Sequence, residues 1–262
     1  MIDLKGHAAL VTGSSKGVGK AIAEAFARAG ADVLIHGRNR DAEAEETIAR
    51  CKSLGVRCDF VAADLTGEVQ VTVDGLFDRA VELSPNIDIL VNNAGQFFDV
   101  KYEEMTVERF ERTMTLNVTA PYFLTQRFAK HWIARNTSGR VLMIGSINGR
   151  LAEPGSTAYD TSKGALEMMT KTLAVALARS NIRVNGLAPG LVRTPQTSWI
   201  DTRPKQAEWI AYHTPNGQIP DADVCGPAAV YLCSDAAGHV TGQMLLVDGG
   251  MSAWQQPPAP KT

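Results

Sequence analysis

Short apolar, β-branched runs alternate with amphipathic stretches of helical length along almost the whole chain. That alternation restricts the fold more than any other feature of the sequence. Ala8–Thr12 is an apolar run that stops at a glycine, and Lys20–Ala29 then sets Ile22, Ala25, Phe26 and Ala29 at helical spacing. Asp32–His36 reads as a second strand, and Asp41–Leu54 as a second helix with acidic residues toward its start. Val56–Ala62 and Ile87–Val91 read as the third and fourth strands. Thr106–Arg135 reads as one long helix, Arg140–Ile144 as a strand, and Ala158–Ala178 as a helix rich in Ala, Leu and Met. Ile182–Leu187 and Met244–Val247 read as the last strands. Strands that alternate with helices in this way form a mainly parallel, doubly wound α/β sheet with helices on both faces.

The chain shows no internal repeat and no Pro/Gly/Ser-rich linker, so one domain is expected over residues 1–254. Its 262 residues can bury a substantial core without disulfides or a metal. Leu191–Asn216 breaks the alternation, and a long irregular segment inside a compact domain reads as a lid. Gln255–Thr262 is a proline-rich tail expected to be flexible, and Trp254 just before it would pack on a neighbouring subunit or on its own domain.

Composition removes several function classes. The formal charge is −2, with neither a basic stripe for nucleic acid nor a polybasic cluster for anionic lipid. No apolar run is long enough to span a bilayer, so no membrane contact is expected. Cys51, Cys58, Cys225 and Cys233 form neither a CxxC pair nor zinc-ligand spacing, so they read as reduced thiols and no metal site is expected. The N-terminus has no basic region followed by an apolar one. With the thiols, this points to the cytoplasm.

Thr12-Gly13-Ser14-Ser15-Lys16-Gly17-Val18-Gly19 lies between the first strand and the first helix. A dinucleotide pyrophosphate needs close backbone approach and the N–H groups of a helix N-terminus. Gly13 permits the tight turn, and Gly17 and Gly19 remove side chains where phosphate and helix must meet. The second strand ends at His36-Gly37-Arg38-Asn39, so glycine stands where an NAD-binding fold carries an acid for the ribose 2′-hydroxyl. Arg38 follows at once and Lys16 lies in the glycine loop. A 2′-phosphate rewards such a cationic clamp. NADP is therefore the preferred cofactor, with NAD as the second choice. Asp64-Leu65 follows the third strand; Asp64 there either accepts from the adenine amino group or caps the next segment.

Tyr159 and Lys163 are four residues apart at the start of a helix and so share a face. Ser146 ends a strand upstream, and Asn117 lies in the long helix before that strand. With the glycine loop, Asn92-Asn93-Ala94-Gly95, Pro189-Gly190 with Thr194, and Asp248-Gly249-Gly250, these residues resemble the short-chain dehydrogenase/reductase family over about residues 4–250.

The resemblance implies a single Rossmann-type domain, generally a tetramer or dimer, that transfers hydride between a nicotinamide and a small molecule. It makes Tyr159 the proton donor or acceptor, with Lys163 holding the nicotinamide ribose. Ser146 would hydrogen-bond the substrate oxygen, and Asn117 would support a water chain to solvent. It lays the Asn93-Ala94-Gly95 backbone along the cofactor. It also gives Pro189-Gly190-Leu191-Val192-Arg193-Thr194 the carboxamide, with Thr194 alternatively an N-cap before Pro195. Lowering a phenol pKa by about 2–3 units needs roughly 3–4 kcal/mol. One cation near 4 Å supplies about 4 kcal/mol, so Lys163, aided by an oxidised nicotinamide, is expected to lower that of Tyr159.

Three substrate classes stay open: a sugar, aldonate or polyol; a 3-oxoacyl thioester; and a simple ketone or xenobiotic carbonyl. The turn at His36–Asn39 resembles NADP-linked members of the first class. Val175 stands where carrier-protein reductases commonly have a basic residue. The expected pocket wall is Gln96–Val100, Asn148–Ser156 and the lid, with Phe97, Phe98, Leu151 and Trp199 apolar and Arg150, Glu153, Arg193, Arg203 and His213 polar. A nucleotide-binding regulator without catalysis is the reading from another class, weakened because both Tyr159 and Lys163 are present.

Overall fold

The strand Ala8–Val11 (β1) contains no polar residue and is buried along its length, as is Gly139–Ile144 (β5). Strands with no side to turn toward water must be covered on both faces. A computed structural model, which describes residues 2–254, shows how the chain achieves this. The tail expected at 255–262 lies outside those residues.

In chain order, β1 is followed by Gly17–Arg28 (α1), Asp32–Gly37 (β2), Ala42–Ser53 (α2), Cys58–Ala62 (β3), Val69–Leu83 (α3) and Ile89–Asn92 (β4). Val107–Met114 (α4) and Ala120–Ala134 (α5) precede β5. Thr157–Leu177 (α6), Ile182–Pro189 (β6), Trp199–Thr202 (α7), Pro204–Tyr212 (α8), Cys225–Cys233 (α9) and Met244–Val247 (β7) complete the fold. The seven strands form one parallel sheet in the order β3-β2-β1-β4-β5-β6-β7. The order reverses between β1 and β4, which opens a crevice at their C-terminal ends.

Alternate strand residues feed two cores. Ala9, Val11, Val33, Ile35 and Val91 meet α1, α2 and α9, through Ile22, Phe26, Ile48 and Ala229. Ala8, Leu10, Leu34, Leu90 and Met143 meet α3, α5 and α6, through Leu76, Phe77, Phe128, Trp132 and Leu166. Both faces are thus closed, as the alternation demands. The four cysteines are buried and free. Among the described residues no helix is long and apolar enough to cross a membrane.

Four details depart from the sequence reading. The helix α3 was hidden because Val69-Gln70-Val71-Thr72-Val73 alternates with a strand's period. Glu68 caps it, accepting from the N–H groups of Gln70 and Val71 at 3.1 and 2.8 Å. The helix α9 is apolar almost all round and so shows no amphipathic stripe; Gly226 lets it press on Ala25 of α1. The expected long helix is interrupted by a π-helical turn at Thr115–Thr119, which carries Asn117. The segment read as an irregular lid is partly helical, through α7 and α8, and α8 buries no residue.

Candidate active site

The glycine loop runs from the end of β1 into α1. Gly13 and Gly17 take left-handed conformations, φ +62° and +60°. A Cβ on Gly19 would collide with Asn93 Nδ2 and the Gly13 carbonyl, so only glycine fits there. The first turn of α1 has no side-chain cap and no acidic residue. Its backbone donors and positive dipole end are therefore left for an anion. This cradle fits a dinucleotide pyrophosphate.

The loop is tied down from two sides. Thr12 Oγ1 accepts from the N–H groups of Asn93 (2.9 Å) and Ala94 (3.0 Å), while Asn93 Nδ2 donates to the carbonyls of Thr12 and Gly13 at 2.8 and 2.9 Å. On the other side the Gly13 N–H donates to Nδ1 of His36 at 3.0 Å. The ring hydrogen of His36 therefore sits on Nε2, beside the Ala63 backbone and without a well-aligned partner. Burial brings the pKa of His36 down to about 4, so it remains neutral and able to accept. The sequence reading missed His36 and Thr12; their signal was only their place beside Gly37 and Gly13.

Gly37 packs on Ser15, whose Oγ would lie 2.6 Å from an added Cβ, so a side chain here would have to turn the Ser15 hydroxyl aside. Arg38 is exposed and forms no ion pair among the described residues. Lys16 is committed to Glu43 at 2.7 Å, which weakens its expected role as a second cation. Asp64 accepts from the N–H and hydroxyl of Thr66 at 3.0 and 2.8 Å, bonds that close a local turn and hold its pKa below the usual range; the next helix is capped by Glu68 instead. Leu65 and Val192 point into the apolar cores, so each offers a ligand only its backbone. Val18 packs beside Val192.

At the other end of the crevice, Gly190 follows Pro189 and lies against Asp248 of the closing turn. Thr194 Cβ stands 3.6 Å from where a Cβ on Gly17 would be, which places this loop over the glycine loop. Thr194 also forms a capping box with Thr197, so the N-cap reading is realised.

The four expected catalytic residues come from β5, α6 and the π-turn. Lys163 is buried and donates to the Ile144 carbonyl at 2.8 Å, with Nζ 5.3 Å from the centre of the Tyr159 ring. Its pKa falls to about 8 through desolvation. Tyr159 departs from expectation. Burial raises its phenol to about 12, opposed by a hydrogen bond with Ser146. The loss of water around the phenol dominates, and the carboxylates of Asp160 and Glu153 add to it. Phe97 meets the Tyr159 ring edge to face, with centroids 5.5 Å apart, and is 40% exposed, so it forms an apolar wall beside the phenol. Arg150 and Arg193, expected on the wall, are instead paired with Glu167 and Asp201.

Asn117 is 1% exposed and its amide is fully engaged. Oδ1 accepts from the Gln96 N–H at 2.9 Å; Nδ2 donates to the Gln96 carbonyl at 2.9 Å and to Ser162 Oγ at 3.0 Å. Ser162 in turn donates to the Tyr159 carbonyl at 2.6 Å. The side chain is thus a clamp between the Gly95-Gln96 loop and the start of α6. Pro121, four residues on, has no N–H to give to the Asn117 carbonyl.

Comparison with known proteins bears on family and fold. Residues 13–252 match the family model described as enoyl-(acyl carrier protein) reductase. Glucose 1-dehydrogenase 2 of Bacillus subtilis is 36% identical over 256 residues, covering 96% of this chain and 97% of that protein. A crystal structure of a gluconate 5-dehydrogenase from Burkholderia cenocepacia, in complex with NADP and tartrate, superposes with TM-score 0.90 at 33% identity, covering 97% and 98% of the two chains. A short-chain type dehydrogenase/reductase from Mycobacterium marinum superposes with TM-score 0.89 at 30% identity, covering 95% and 97%.

Proposed function

The chain belongs to the short-chain dehydrogenase/reductase family, and from that premise we propose that it interconverts a secondary alcohol and a carbonyl with NADP(H), using Tyr159 as general acid and base. The observation that carries this reading is the convergence of Tyr159, Ser146 and Lys163, at the same C-terminal edge of the sheet as the acid-free start of α1. When bound, the nicotinamide supplies or accepts the hydride.

The chain's own residues handle the oxygen and its proton. Ser146 and the Tyr159 phenol hold the substrate oxygen between them. A phenol near pH 12 is fully protonated at neutral pH, which suits a proton donor in carbonyl reduction. Lys163 is fixed by the Ile144 carbonyl, with Nζ 5.3 Å from the centre of the Tyr159 ring, where its positive charge favours the phenolate. It would also hold the nicotinamide ribose. The proton returns through Lys163 and a water on the Asn117 carbonyl.

The bare turn at Gly37, with Arg38 unpaired beside it, favours NADP over NAD. Ser15 and Arg38 would take the 2′-phosphate, the glycine loop the pyrophosphate, and the backbones of Ala94, Gly95, Pro189, Gly190 and Val192 the nicotinamide side, with Thr194 on the carboxamide. Asp64 and Leu65 would border the adenine. A sugar, aldonate or polyol is the favoured substrate class, because the glucose and gluconate dehydrogenases are related over the full chain. Val175 is 81% exposed and uncharged, which disfavours docking of an acidic carrier protein.

The test is to follow oxidation of NADPH and of NADH by the purified protein against sugars, oxoacyl thioesters and simple ketones. Turnover with NADPH on a polyhydroxy carbonyl is expected. Faster turnover with NADH would overturn the cofactor assignment, and turnover confined to thioesters would overturn the substrate class.

A further inference from the structure

One step out from the reacting atoms lies a line of hydrogen bonds that the proton chemistry does not use. Ser146 Oγ accepts from the Asn148 backbone N–H at 3.1 Å and donates to Asn148 Oδ1 at 3.3 Å. Asn148 Nδ2 donates to Asp160 Oδ1 at 2.8 Å, and the other oxygen of Asp160 accepts from the Glu153 N–H at 2.8 Å. Asp160 directly follows Tyr159 in the first turn of α6.

An ionised carboxylate can only accept. Asp160 therefore fixes the Asn148 amide in one orientation, with Nδ2 toward α6 and Oδ1 toward Ser146. The Tyr159 phenol and the Asn148 amide oxygen both contact the Ser146 hydroxyl, and when that hydroxyl's one hydrogen turns to the substrate oxygen it leaves Oδ1 open; Asn148 is partly exposed. Phe97 closes the side of the phenol with an apolar ring.

We propose that Asn148, oriented by Asp160, is a specificity-determining residue that accepts a hydrogen bond from a hydroxyl on the carbon next to the reacting carbon. The inference rests on the assignment of Tyr159 and Ser146 above. Two oxygens on neighbouring carbons lie about a hydrogen-bond length apart, which matches the 3.3 Å between Ser146 Oγ and Asn148 Oδ1. An oxygen that only accepts demands a donor. An α-hydroxy ketone or a vicinal diol provides one. A plain ketone has no donor to offer there, and a 3-oxoacyl thioester carries only a CH2 beside its ketone.

The experiment compares hydroxyacetone with 2-butanone, in which a methyl replaces the hydroxyl, as substrates of the full-length enzyme with NADPH. A hydroxyl also makes the ketone more electrophilic, so the readout is the change in the ratio of kcat/KM between enzyme forms. Asn148→Ala is expected to lower the ratio of hydroxyacetone to butanone about tenfold, the worth of one hydrogen bond, with the butanone rate largely retained. Asp160→Asn, which sets an NH2 group against the Asn148 amide or the Glu153 N–H and so frees the amide to turn, should lower the ratio in the same direction but less.

A ratio unchanged in Asn148→Ala, or both rates falling together, would overturn the proposal and leave the Tyr159 reading in place. Reduction of neither ketone by wild-type enzyme that binds NADPH would overturn it as well. Turnover that survives Tyr159→Phe would instead overturn the reading beneath it.

Discussion

Truncating Asn117 to alanine removes three hydrogen bonds and leaves the Gln96 N–H and carbonyl without the partners they have in the fold. The residue is 1% exposed, so water does not replace the amide freely. At roughly 1 kcal/mol net for each bond, the loss is about 3 kcal/mol. In a domain of this size each kcal/mol moves Tm by about 2–4 °C, so Asn117→Ala should melt about 6–12 °C below wild type. The damage should be local: the Gln96 amide should exchange with solvent faster, and Phe97, the next residue, should lose its fixed contact with Tyr159. Differential scanning calorimetry with hydrogen exchange measures both. A Tm within 2 °C of wild type, with Gln96 still protected, would refute the clamp.

Other outcomes follow from the cofactor end. Arg38→Asp should shift the ratio of kcat/KM for NADPH over NADH by at least about tenfold toward NADH, since a charged hydrogen bond to phosphate is replaced by repulsion; an unchanged ratio would show Arg38 to be a surface charge. His36 gives the fold a pH dependence. Its pKa is about 4 in the fold against 6.5 in a free chain, so its contribution is fully present above pH 6.5 and is lost as pH falls through 4. The loss reaches about 3 kcal/mol below pH 4, at 1.36 kcal/mol per unit. Urea midpoints at pH 7, 5 and 4 should fall more steeply for wild type than for His36→Asn; equal slopes would contradict the assignment.

Much of this was legible in the sequence because the signals were local. The glycine loop, Tyr159 with Lys163, and the apolar strands each fit within a few residues, and periodicity turns such spacing into geometry. What escaped depends on partners far apart in the chain. Asn117 stood out in the sequence, yet its clamp requires Gln96 and Ser162, and its π-turn has no pattern in the sequence beyond Pro121. The ties of Asn93 to Thr12, and of His36 to Gly13, join residues on different strands. The raised phenol pKa was misjudged because spacing reports the distance to a charge and says nothing of the water excluded around it. Lys16 was assigned to phosphate without sight of Glu43, which the fold brings from α2.

The central claim is that Tyr159 carries the proton while the rest of the crevice binds the cofactor. Tyr159→Phe keeps the ring against Phe97 and removes only the hydroxyl. Titration of its fluorescence should give an NADPH Kd close to that of wild type, with turnover lower by a factor of at least about a hundred, the scale of general acid catalysis. Retained turnover, or a large loss of NADPH affinity with the chemistry intact, would contradict the account.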